Sequence, residues 1–115
     1  MSVKVKKEIR DDIAVLVLSG SLLGGPETAD KFQDEIEKII TSGMKKVVID
    51  LDEVNRMNST GLGILMRGYM SMKNSEGNIK LVSLNESLKG ILIMTQLNKI
   101  FDTYESLEDA IDDFK

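Results

Sequence analysis

A run of apolar residues near the start of the chain constrains the fold more than any other feature. All six residues from Ile13 to Leu18 are apolar, in the order Ile-Ala-Val-Leu-Val-Leu. A strand with one face in water alternates apolar and polar side chains, whereas a strand covered on both faces is apolar throughout. The run therefore predicts a strand inside a sheet whose two faces are both covered.

Helical patterns recur through the rest of the chain. Apolar residues follow at helical spacing after Pro26, between about residues 60 and 74, after Asn85 and after Ser106. Pro favours the first helical position, and Asn and Ser side chains cap the first turn of a helix. The sequence therefore predicts about four helices.

Short strand-like runs lie between these helices. Alternating residues 3–9 precede the apolar run and should pair with it as an antiparallel hairpin, while Val47–Leu51 and Ile79–Ser83 are further strands. Residues 97–104 are ambiguous and allow a short edge strand at residues 100–103. Strands joined through helices are parallel. The prediction is a single α/β domain with a central mixed β-sheet of four to five strands.

The composition argues against most catalytic and metal-binding chemistry. The chain of 115 residues contains neither His nor Cys, which removes the usual zinc ligands, thiol nucleophiles and Ser-His-Asp arrangements. We therefore expect a protein that is not an enzyme and needs no metal or cofactor. Its length fits one domain covering residues 1–115.

The charge balance argues against nucleic acid as a partner. The formal net charge is −4, and binding to phosphate backbones calls for a clustered basic surface. No apolar run approaches the roughly 20 residues of a membrane span. The first residues also lack the apolar core of a signal peptide. We expect a cytoplasmic protein that binds neither nucleic acid nor membrane.

One segment stands out chemically, the stretch DLDEVNRMNSTGLG from Asp50 to Gly63. It leads from a predicted strand into the start of a predicted helix, and ligands of α/β proteins tend to meet the sheet at that edge. The N-terminus of a helix presents unpaired N–H groups and the positive end of the helix dipole. A phosphate on Ser59 would therefore be tolerated without unfolding the domain.

The same residues also permit a purely structural interpretation. Asn58, Ser59 and Thr60 are all good helix-capping residue types. Gly61 and Gly63 would then only let the helix pack closely on the sheet. Chemistry alone favours this simpler interpretation, because helix caps are far commoner than phosphorylation sites.

A family resemblance favours the functional alternative. The segments DLDEV at Asp50–Val54 and MNSTGLG at Met57–Gly63 resemble the signature of the STAS family, and more narrowly the small bacterial anti-sigma factor antagonists. The similarity extends over nearly the whole chain. It includes the opening hairpin, Leu18–Leu22, Leu81–Ser87 and Leu97–Phe101.

The resemblance implies a protein that works by binding. In that family the unmodified antagonist binds an anti-sigma factor, often itself a serine kinase, and so releases a sigma factor. The kinase then phosphorylates the serine of the motif, the complex dissociates, and a phosphatase restores the serine. Carried over to this chain, the phosphorylated residue is Ser59, with its neighbour Thr60 as the second choice.

The chain departs from the family pattern in three places. Asn58 stands where the family usually has Asp, and Asp52 stands where Ser is common. The loop from Leu22 to Glu27 lacks an acidic residue soon after the preceding Gly. These departures keep an alternative open, in which the chain is a STAS interaction module or scaffold of another signalling complex and Ser59 is not phosphorylated.

Helical periodicity also suggests a partner-binding face. Ile64 lies opposite the inward stripe, near Arg67. We expect Ile64 to be exposed one turn beyond Ser59 and to anchor a partner, and Arg67 to contact that partner or a phosphate. The predicted partner site comprises Asn58, Ser59, Thr60, Gly61, Ile64 and Arg67.

The remaining expectations concern assembly and packing. The expected partners are an anti-sigma factor with serine kinase activity and a serine phosphatase. We expect a monomer, with weak dimerisation through an apolar edge strand as the alternative. Met66, Met70 and Met94 lie at spacings typical of core residues.

Overall fold

The structure is a computed structural model that describes residues 3–115. Its elements are β1 (Lys4–Arg10), β2 (Ile13–Leu22), α1 (Pro26–Thr41), β3 (Lys46–Met57), α2 (Ser59–Asn74), β4 (Asn78–Val82), α3 (Glu86–Met94), a 3₁₀ turn (Leu97–Lys99), β5 (Asp102–Tyr104) and α4 (Leu107–Phe114). The ambiguous segment thus contains a fifth strand. Within residues 3–115, every helix is too short or too polar to cross a membrane.

The five strands form one mixed sheet in the order β1-β2-β3-β4-β5. The first pair is antiparallel, and its turn includes Asp11 in the left-handed conformation with φ 55°. The other three pairs are parallel because α1, α2 and α3 each carry the chain back across the sheet. The predicted α/β fold class, with its opening hairpin and about four helices, is confirmed.

Helices cover the two faces of the sheet unequally. The main core lies beneath α1, α2 and α3, and Ala14, Leu16 and Leu18 of β2 point into it. A smaller core lies beneath α4 and receives Ile13 and Val15 from the same strand. The apolar run is therefore buried on both faces, as its composition predicts.

A buried lysine holds α4 against the sheet. Lys80 of β4 is 5% exposed, and its Nζ donates hydrogen bonds to Asp113 at 2.8 Å, the Tyr104 hydroxyl at 2.9 Å and Asp102 at 3.4 Å. Burial lowers the pKa of Lys80, but these hydrogen bonds outweigh it and leave the pKa above its ordinary value. The hydrogen bond from Lys80 lowers the pKa of Asp113. The lysine is thus charged and satisfied, which lets it be buried.

Two of the three methionine expectations are wrong. Met70 is 49% exposed and Met94 is 81% exposed, whereas Met66 is half-buried and packs on the main core. Met94 is the last residue of α3 and follows the buried Leu92 by two residues, which places it on the opposite side of the helix. Met70 faces away from both the sheet and α1, so its helical spacing alone did not predict its exposure.

Candidate functional site

The site begins with a strand that is longer than its apolar run. β3 continues to Met57, six residues past the predicted end at Leu51. Its first half pairs with β4 as far as Asp50. Its second half follows β2 alone, through two register shifts, to the pair Leu22 and Met57. This extension brings the start of α2 beside the loop that follows β2.

Asn58 caps α2 and joins it to β2. The Asn58 side-chain oxygen accepts a hydrogen bond from the Gly61 N–H at 2.8 Å, and its carbonyl accepts one from Leu62 at 2.9 Å. Its own N–H donates to the Leu22 carbonyl oxygen at 3.3 Å. Asn58 therefore performs the capping role predicted for this tripeptide.

Ser59 and Thr60 are the first two residues of α2, and both are exposed. Within residues 3–115 the Ser59 hydroxyl makes no hydrogen bond. Helix geometry leaves the N–H groups of the first turn without partners inside the helix, and Asn58 supplies an acceptor only for Gly61. The start of α2 is therefore able to receive an anion at Ser59.

Two glycines hold this helix start in close contact with the loop after β2. A Cβ on Gly61 would lie 1.9 Å from the Leu22 carbonyl oxygen, so no larger residue fits. A Cβ on Gly24 would lie 2.4 Å from the Thr60 methyl group, and Gly24 also has φ +99°. The Thr60 side chain consequently packs against the loop.

A second Asn, in the connection between β4 and α3, joins that connection to the same edge of the sheet. Asn85 caps α3 by accepting a hydrogen bond from Leu88 N–H at 2.9 Å. Its amide nitrogen also donates to the carbonyl oxygens of Val54 at 3.4 Å and Asn55 at 3.3 Å. The sequence predicts the cap, but its local pattern gives no sign of this link to β3.

The prediction that Ile64 is exposed and anchors a partner is wrong. Ile64 is 9% exposed and belongs to the main core. One turn later on the same side of α2, a Cβ on Gly68 would lie 2.5 Å from the Phe32 ring of α1. Because α2 is covered by the sheet and by α1, two of its sides are buried. A helical wheel with one buried stripe therefore misplaces Ile64.

The structure brings most of the other predicted residues together. Asn58, Ser59, Thr60 and Gly61 form the first turn of α2 and its cap. Arg67 is exposed on the same helix, eight residues or about 12 Å along the axis from Ser59. That separation favours a role for Arg67 in contacting a partner over contact with a Ser59 phosphate.

Other features of the described chain lie away from this helix start. Across residues 3–115, Asp and Glu form no group of three or more that could hold a metal ion. A surface depression between β1 and α1 contains none of the predicted site residues. The candidate site is thus an exposed helix start.

Comparisons with protein families and with individual proteins point to the same family. A profile of the STAS domain matches residues 4–110. An anti-sigma-B factor antagonist of Listeria monocytogenes is 28% identical over 102 residues, covering 89% of this chain and 87% of that protein.

Solved structures show the same fold. A Thermotoga maritima protein provisionally described as an anti-sigma factor antagonist is 27% identical over 109 residues, with 94% of this chain and 95% of that protein covered. The crystal structure of a Thermotoga maritima protein with the same provisional description matches with a TM-score of 0.84 over 95% of this chain and 92% of that chain. The Bacillus cell fate determinant SpoIIAA, in its phosphorylated form, matches with a TM-score of 0.74 over 97% of this chain and 100% of that one. At 17% identity the SpoIIAA match shows the fold alone.

Proposed function

The chain belongs to the STAS domain family, and from this premise we propose that it is an anti-sigma factor antagonist. Its relatives include proteins named as antagonists of anti-sigma factors. In this role the chain binds an anti-sigma factor and thereby releases a sigma factor for transcription. The domain of residues 1–115 acts by binding and carries out no reaction of its own.

The observation that carries this proposal is an exposed serine with no structural task. Ser59 occupies the first position of α2, where it is exposed and its hydroxyl makes no hydrogen bond among residues 3–115, because the neighbouring Asn58 provides the cap. The capping hydrogen bond is made by the residue before the helix, here Asn58, so Ser59 at the first helical position has no capping role. The hydroxyl of Ser59 is instead available to a partner or a kinase.

We propose that the anti-sigma factor is a serine kinase and that it phosphorylates Ser59. SpoIIAA, which shares the fold, is known in a phosphorylated form. A phosphate carries close to two negative charges at neutral pH, and the helix start favours an anion there. The modified chain therefore stays folded, while the new charge, desolvated inside the interface, weakens the complex. Thr60 is a poorer acceptor because its side chain packs on Gly24.

The test is affinity capture from native lysate of the source organism, with bound proteins identified by mass spectrometry. Wild type should retain an anti-sigma factor kinase that Ser59→Asp loses. Ser87→Asp is the matched control, since Ser87 is also exposed in the first turn of a helix capped by Asn. Equal capture by wild type and Ser59→Asp would contradict the switch.

A second candidate function is favoured by one observation, the neutral residue at position 58. Asn58 maintains the cap but supplies no carboxylate beside Ser59. In this alternative the chain is a STAS scaffold of another signalling complex and Ser59 is not modified. Capture of a complex without sigma regulators, equally by wild type and Ser59→Asp, would support it.

The proposed cycle requires two further conditions. A serine phosphatase removes the phosphate from Ser59, and the exposed position of Ser59 makes it accessible to such an enzyme. The chain acts as a cytoplasmic monomer, which analytical ultracentrifugation of the purified protein tests. A stable dimer would contradict the monomer and direct attention to the edge strands.

A further inference from the structure

Helix α2 has a different charge from the rest of the molecule. It contains Arg67 and Lys73 and no Asp or Glu, whereas α1, α3 and α4 all contain carboxylates. The helix therefore contributes +2 to a chain of net charge −4, which leaves −6 for the remainder. Both cations are exposed, and Lys73 lies over the Tyr69 ring at 5.5 Å. A basic helix on an acidic protein is suited to an acidic partner.

The same helix carries a glycine that its fold does not require. Gly61 and Gly68 are needed, because a Cβ at either position would collide with Leu22 or Phe32. A Cβ on Gly63 would meet nothing within 4 Å. Glycine is among the least favourable residues inside a helix. Gly63 therefore weakens α2 without any benefit to packing within the chain.

Gly63 lies between the candidate switch residue and the exposed arginine. Ser59, Gly63, Arg67 and Met70 follow one another at helical spacing, and all four are exposed. We call these residues the α2 face. Its centre is bare helix backbone at Gly63, with a cation on one side and the Ser59 hydroxyl on the other. Such a surface allows the backbone of another protein to approach closely.

We propose that the α2 face docks onto a carboxylate-bearing surface of the anti-sigma factor. Arg67 of this face, and Lys73, which follows Met70 at helical spacing, meet carboxylates of the anti-sigma factor, whose backbone packs against Gly63. This inference rests on the proposed function, and it names the chemistry of the partner surface. It also gives the switch a physical cause, because a phosphate on Ser59 would place two negative charges against an already negative surface.

The charge contribution is tested with the purified anti-sigma factor that wild type retains in the capture experiment. Isothermal titration calorimetry should show that Arg67→Glu raises Kd about tenfold or more. Lys4→Glu is the control, since it makes the same charge change at an exposed position on the edge strand β1, outside α2. Added salt should raise Kd for wild type. Equal affinities of wild type and Arg67→Glu would overturn the inference.

The close approach is tested with a matched pair of glycine variants. Gly63→Ala and Gly90→Ala each place a methyl group in open space at an exposed helix position, so both should raise the thermal midpoint. Only Gly63→Ala should weaken binding, by about tenfold, since a methyl group then separates the two backbones. Unchanged affinity of Gly63→Ala would overturn the close approach.

Failure of this inference is distinguishable from failure of the proposed function. If wild type retains no anti-sigma factor, both are overturned. If the anti-sigma factor binds wild type, Arg67→Glu and Gly63→Ala equally well, the inference alone is overturned and the proposed function stands.

Discussion

The starts of α2 and α3 use the same capping residue in different surroundings. Asn58 and Asn85 each accept a hydrogen bond from the N–H three residues later, at 2.8 and 2.9 Å. The amide nitrogen of Asn85 also donates to two carbonyl oxygens of β3. That of Asn58 makes no such bond within residues 3–115. One helix start is thus fastened to the sheet through its side chain, while the other presents its cap and Ser59 to solvent.

A capping motif alone therefore does not distinguish a structural helix start from a functional one. At α3 both ends of the Asn amide are used inside the fold, and the first turn contains Glu86. At α2 the first turn contains no acidic residue, so the positive end of the dipole is left for an external anion. The acidic residue can be read from the local sequence, whereas the hydrogen bonds of Asn85 to β3 join distant segments and cannot.

The largest loss of stability is expected from a substitution that forces the start of α2 away from β2. Gly61→Ala places a Cβ 1.9 Å from the Leu22 carbonyl oxygen, and backbone must move to relieve it. We expect the free energy of unfolding to fall by about 3 kcal/mol or more, measured by urea denaturation. Gly63→Ala is the control and should gain up to about 1 kcal/mol. Similar effects of the two variants would show that α2 is not held against β2.

Removing each cap should lower the free energy of unfolding by a smaller amount, and by different amounts at the two helix starts. Asn85→Ala loses the cap and the two hydrogen bonds to β3, and should cost about 2 kcal/mol. Asn58→Ala loses only the side-chain cap and should cost about 1 kcal/mol. Urea denaturation measures both. A larger loss of unfolding free energy for Asn58→Ala than for Asn85→Ala would contradict the expected order.

Changing Asn58 and Asn85 to Asp should shift the stability of the chain in opposite directions. Asn58→Asp keeps the acceptor for Gly61 and adds a negative charge at a helix start, which should stabilise the chain by about 0.5 kcal/mol. Asn85→Asp puts a carboxylate against the carbonyl oxygens of Val54 and Asn55 and should destabilise it by about 1 kcal/mol. Thermal unfolding at neutral pH gives both signs. Two changes of the same sign would contradict the distinction.

The smallest effect concerns the other side of the sheet. The hydrogen bond from Lys80 lowers the pKa of Asp113, so Asp113 stabilises the fold above its ordinary pKa of about 3.9. This contribution is lost as pH falls through the lower value of the folded state. Asp113→Asn should therefore flatten the acid limb of a plot of thermal midpoint against pH. An unchanged acid limb would show that the Lys80 cluster does not hold α4.

Much of the fold and part of the site were predictable from sequence. Local signals give the helix start at Asn58 and the apolar run of β2. The extension of β3 was missed because Glu53, Asn55 and Arg56 are polar, and strand pairing with β2 overrides that local preference. Ile64 was misplaced because α1 covers a second side of α2. The bonds of Asn85 and Lys80 join segments far apart in the chain, and no local pattern encodes them.

We propose that Ser59 is a switch on an otherwise unchanged fold. The most direct measurement is calorimetric titration of the purified anti-sigma factor with unmodified chain and with chain phosphorylated at Ser59. Unmodified chain should bind, whereas the phosphorylated chain should bind about a hundredfold more weakly with an unchanged thermal midpoint. Equal affinity of the two forms would contradict the claim.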